Sequence, residues 1–137
     1  MNPILRNVLA VVAGIVVGMI ANMGIIMASG SVVPPPEGVD PSNMESIAEN
    51  IHLYSPIHFL MPFLAHAAGS FFGALVAALL AVTHKMKFAI GLGIWTLIGG
   101  IMAATMIPSP TWFIVVDLGL AYIPTAFLAG KIASSKS

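Results

Sequence analysis

Of the five basic and five acidic residues in this chain, only Arg6 and Asp117 fall inside four long apolar segments, about residues 4–29, 57–83, 88–107 and 111–130. A helix that crosses a bilayer needs about 20 predominantly apolar residues. Lipid offers no partner to free backbone groups, so each segment is expected to be helical throughout. The composition agrees, with 7% charged residues and 58% hydrophobic ones, against roughly 25% charged in a soluble domain. The first apolar run, from Val8 to about Ser29, follows Arg6 as a signal peptide's would. It exceeds the ~7–15 residues of a signal h-region and meets no clear cleavage site, so it reads as a retained span.

The connections set the expected architecture. His84 to Lys87 forms a short basic turn and Pro108-Ser109-Pro110 a short stiff one. Short turns make neighbouring helices antiparallel. The fold class expected is an all-α integral membrane protein, an antiparallel up-down bundle of four transmembrane helices in a single domain over residues 1–137. Charge sorting supports the same helix count. Arg6, Lys85, Lys87, Lys131 and Lys136 share one side if there are four spans, and an odd number would split them. That side is cytoplasmic by the positive-inside rule, with both termini. Glu37, Asp40, Glu45 and Glu49 gather in the opposite, extracytoplasmic loop of about residues 30–56.

That loop begins with an extended proline run, Pro34 to Pro36. Asp40-Pro41 then has the pattern of an N-cap followed by proline at the first helical position. Met44, Ile47, Ala48 and Ile51 fall on one helical face. A short amphipathic helix over about Pro41–Leu53 is therefore expected, lying on the membrane surface or capping the bundle. Tyr54 and Trp112 fall near the outer boundary, where amphipathic aromatics concentrate. Pro62 and Pro124 lie inside the second and fourth segments and are expected to kink them, freeing the carbonyls of His58 and Leu120.

Helices in lipid associate through close approach and polar contacts. Small residues recur every fourth position: Ala10, Gly14, Gly18 and then Asn22; Ala65, Gly69, Gly73 and Ala77; Thr96, Gly100 and Ala104; Asp117, Ala121, Thr125 and Ala129. Gly14–Gly18 and Gly69–Gly73 are GxxxG motifs, expected to pack within one chain rather than to form a dimer face.

Asp117 is the leading candidate for chemistry. It lies about 9 Å below the start of its segment at ~1.5 Å per residue, while His66 lies about 15 Å deep and Asn22 about 11 Å. Charges inside a membrane usually face inward and are paired or functional. With all Lys and Arg on the other side, only histidine, polar neighbours, water or a bound cation can answer Asp117. An intramembrane polar cluster of Asn22, His66 and Asp117 is expected, with His58, Thr96 and Thr105 as accessory members.

Other chemistries find little support. Zero net charge leaves no basic patch for nucleic acid. The absence of cysteine removes thiolate sites and nucleophiles. His58 and His66 are eight residues apart, about 12 Å along a helix and about 80° around it, so no metal site is expected. No HExxH, GxSxG or phosphate-cradling loop occurs, so neither a cofactor nor an enzyme is expected. The nine methionines, including the Met19, Met23 and Met27 stripe, read as packing residues. The partners are the lipid bilayer and a homo-oligomer or larger membrane complex. The first functional expectation is a structural or accessory membrane protein that self-associates or joins such a complex. The alternative is an oligomeric transporter or channel-like protein with a titratable His66/Asp117 site. The two part on whether the polar cluster meets a wet cavity or a dry contact.

Overall fold

The computed structural model describes residues 1–136. Among these residues every regular element is helical, and four helical stretches are long and apolar enough to cross a membrane. Helix α1 (Pro3–Val32) starts with Asn2, whose side chain accepts from the Ile4 amide, and with Pro3 at the first position. It runs to the edge of the proline series. Val33 is extended, as a residue before proline must usually be. The same device ends α4 at Ile107, ahead of Pro108.

The loop helix differs from expectation. Helix α2 covers only Met44–Glu49, and a 3₁₀ turn, Ile51–Leu53, follows it. Its N-cap is Asn43, whose Oδ1 accepts from the Glu45 and Ser46 amides, and not Asp40. Asp40 instead accepts from the amide and hydroxyl of Ser42. These two bonds hold its carboxyl below the ordinary carboxylate range. With its side chain bound locally, Asp40 makes a turn, and the helix begins three residues later. Asn50 interrupts the apolar stripe by folding its side chain back on the Ser46 carbonyl.

Both interior prolines turn out to begin helices. Residues Pro56–Phe59 form a 3₁₀ turn that leads into α3 (Leu60–Leu80), so Pro62 is in the first turn of α3. There a missing amide costs little, because the first four have no intrahelical acceptor anyway. The fourth span is not one kinked helix. It is α5 (Thr111–Leu120) and α6 (Ile123–Ser135), separated at Ala121 and Tyr122, with Pro124 in the first turn of α6. Pro124 cannot donate to Leu120, and its ring crowds that carbonyl, so the first helix stops there.

The basic turn lies three residues earlier than expected, over residues 81–84. α3 ends at Leu80, and α4 (Lys85–Met106) begins after His84, which adopts a left-handed backbone with φ 49°. Lys85 accounts for this: its Nζ donates to the carbonyls of Ala78, Leu79 and Ala81, each at 3.0 Å. An ammonium there satisfies free carbonyls and complements the negative end of the helix dipole. Arg6 adds a bond to the Leu80 carbonyl, and Asn7 bonds the Val82 amide and Thr83 hydroxyl.

α3 is the hub of the bundle. It packs α1 on one side and α4 and α6 on the other, and α4 and α6 also pack together. The core is mostly alanine: Ala74, Ala77, Ala78, Ala89, Ala126, Ala129 and Ala133, with Leu92. The large side chains point outward, among them Val8, Val12, Met19 and Met23 on α1 and Trp95 and Ile98 on α4. This inverted distribution suits a surface facing hydrocarbon, where tight helix contact depends on small residues. α1 and α3 meet through the two GxxxG motifs. A Cβ on Gly14 would lie 2.6 Å from the Gly73 carbonyl oxygen, and one on Gly18 would lie 2.8 Å from that of Gly69. Only glycine allows backbones so close. The motifs are thus occupied within the chain.

Candidate intramembrane binding site

The break in the fourth span assembles the polar site. Asp117 lies on α5 one turn before the break, and His66 lies on the adjoining face of α3. His66 Nδ1 is 2.8 Å from Asp117 Oδ1 and 3.0 Å from Oδ2. A carboxylate only accepts, so Nδ1 carries the proton and donates to both oxygens. Nε2 is left without a protein partner among the described residues. Tyr122, at the break, donates its hydroxyl to Asp117 Oδ2 at 3.3 Å. Its ring stacks on the His66 imidazole, with centroids 5.7 Å apart and planes at 24°.

Two neighbours hold Tyr122 in place. Ser70, one turn beyond His66 on α3, donates its hydroxyl to the Tyr122 carbonyl at 2.7 Å. The same carbonyl accepts from the Ala126 amide and the Thr125 hydroxyl, so the broken backbone is satisfied internally. On α4, Gly100 makes room for the phenol. A Cβ there would strike the Tyr122 hydroxyl and ring.

The site is not sealed. The Asp117 side chain is 7% exposed, but that of His66 is 24% exposed. His66 is on the wall of two cavities, which also share Gly100 and Ala103. The first, of about 240 Å³, reaches from His66 and Asp117 to the loop residues Ile47, Ile51 and Tyr54. The second, of about 480 Å³, lies between α1 and α4 with α3 as its floor.

The other expected members are dispersed. Asn22 packs its Cβ over Gly69 and lines the second cavity, but its side chain makes no hydrogen bond to the pair. His58 is at the far end of the first cavity, where its Nδ1 accepts from the Ser55 amide and its ring meets the edge of Tyr54. Thr96 lines the second cavity and turns its hydroxyl back onto the Leu92 and Gly93 carbonyls. Thr105 bonds Met102 of its own helix and is on neither cavity wall.

Tyr122 and Ser70 are the residues the sequence pattern missed. On a continuous helix Tyr122 would be about 140° around from Asp117. Only the break returns it to the carboxylate, and Pro124 was the one signal of that break.

Chemically, the site is a buried carboxylate answered by a histidine and a tyrosine and by no Lys or Arg. Its histidine presents a free nitrogen in a fixed tautomer, an arrangement that can take up and release a proton. Among the described residues no three metal-ligating side chains converge. The chain matches no protein-family model, no curated protein and no solved structure.

Proposed function

We propose that this chain is an integral membrane protein of four antiparallel spans whose His66–Asp117 pair binds and transfers a proton in the course of transport. The observation that carries this reading is the pair itself: a hydrogen-bonded His and Asp at a break in a span, with His66 on the walls of two cavities. A purely structural contact between helices needs no opening. Ionisable residues inside membranes mark proton and ion pathways when they meet a cavity, and discontinuous helices often accompany such sites.

In this proposal both termini and all five basic residues share one side, the cytoplasmic one by the positive-inside rule. Arg6 and Lys85 support it, because both bond carbonyls at the C-terminal end of α3. Lys131 follows Gly130, which packs on Met86 and Ala89 at the start of α4.

Reconstituted vesicles with an internal pH indicator test the proposal. Asp117→Asn and His66→Gln are each expected to cut proton flux roughly tenfold or more, while helical content and the thermal transition are kept. Wild-type flux with an unchanged pH profile in a folded Asp117→Asn protein would sink it.

A further inference from the structure

We propose that the first cavity binds a compact organic cation, a small benzylic or aliphatic ammonium, with its charge on Asp117 and its hydrocarbon against Phe59 and Phe113. This rests on reading His66–Asp117 as a site of exchangeable charge, and it adds the class of ligand.

Charge is the first argument. Asp117 is the only Asp, Glu, Lys or Arg on the cavity wall. His66 and Tyr122 donate hydrogen bonds to it, and neither brings a fixed positive charge. A buried carboxylate calls for a cation, and the fixed cations of the chain are held elsewhere: Arg6 and Lys85 on the end of α3, and Lys131 over the Phe127 ring.

The walls are the second argument. Phe59 and Phe113 are buried with ring centroids 4.7 Å apart, and Tyr54 lies 5.7 Å from Phe59. Such rings pair favourably with the benzylic or aliphatic part of a ligand whose charge is on Asp117. The rest of the wall is mostly aliphatic. It supplies no oxygen cage for a hard metal ion. The volume, about 240 Å³, falls below the ~300 Å³ at which drug-sized pockets begin, which limits the ligand to a compact molecule.

Equilibrium binding of radiolabelled benzyltrimethylammonium to the purified full chain tests this, with uncharged neopentylbenzene as the isosteric competitor. The expected result is saturable binding, competed at least roughly tenfold less well by the neutral isostere. Asp117→Asn should weaken it by a similar factor. Leu118→Phe, which fills the cavity from its wall and leaves the carboxylate intact, should block it even if the asparagine variant does not fold. Equal competition by the neutral compound, or no saturable binding at all, overturns the ligand proposal. Proton flux separates this from the parent reading. Asp117-dependent flux without ammonium binding refutes only the ligand, whereas ammonium binding without such flux refutes only proton transfer.

Discussion

α3 meets its neighbours through two faces that hold in opposite ways. Toward α1 it offers Gly69 and Gly73, and the two backbones approach until no side chain fits between them. Toward α5 and the start of α6 it offers His66 and Ser70, and the contact is made by hydrogen bonds to a carboxylate and a carbonyl beside open cavities. The first face tolerates no added atom where the backbones touch, although Gly14, Gly18 and Gly69 also border the second cavity. The second keeps space and polarity. Close packing supplies rigidity where a helix must be held, and hydrogen bonds leave room where a site must open. In lipid these are the two available means of joining helices, because apolar burial by itself does not distinguish a neighbour from a lipid tail.

The largest effect should come from spoiling the glycine face. Gly14→Leu places a branched side chain where even a Cβ would lie 2.6 Å from the Gly73 carbonyl oxygen. A loss of about 3 kcal/mol is expected, at the upper end of overpacking costs. It should appear in denaturant unfolding in micelles and as separation of α1 from α3 in cysteine cross-linking. Retained cross-linking and stability would remove the distinction between the faces.

Gly100→Ala applies the same change to the polar face. The added methyl strikes the Tyr122 phenol, which is buried and stacked on His66. About 2 kcal/mol should be lost. Movement of Tyr122 away from Asp117 should be visible as a change in tyrosine ultraviolet absorbance. A smaller loss than for Gly14→Leu is the point of the comparison, since a side chain beside a cavity can yield where backbone cannot.

Ser70→Ala removes the hydroxyl on the Tyr122 carbonyl, which keeps its bonds from Ala126 and Thr125. About 0.6 kcal/mol is expected, the average for hydrogen bonds between membrane helices. A loss above about 2 kcal/mol would show that the break depends on Ser70 alone. The smallest effect belongs to Gly24→Ala. It lies on α1 beyond the seam, with nothing within 4 Å of the added carbon. No stability should be lost in the same unfolding assay, alanine being the better helix former, so that losses on α1 are confined to the glycines that touch α3.

Much of this was legible in the chain. Long uncharged segments require helices in lipid, and their lengths marked four of them to within a few residues. The GxxxG spacing marked the α1–α3 seam, because four-residue spacing puts glycines on one helical face whatever they meet. The cation exclusion singled out Asp117 and named histidine as its answer. The loop helix was misplaced because Asp40-Pro41 and Asn43 are both good cap signals. The choice went to Asn43 once Ser42 had captured the Asp40 carboxylate.

What the sequence alone determined is therefore what depends on composition and period: helices, their approximate ends, the small-residue faces and a buried acid without a basic partner. What only the tertiary structure decided is which residues at different depths meet. Asn22 and His66 both border the second cavity yet share no hydrogen bond, and Thr105 is on neither cavity wall. Tyr122 joins Asp117 because Pro124 breaks the span and Gly100 on a third helix leaves the ring its space. Such a meeting depends on the rotation of each helix about its axis and on the shapes of its neighbours. Those quantities are set by packing among four helices at once, and no single segment encodes them.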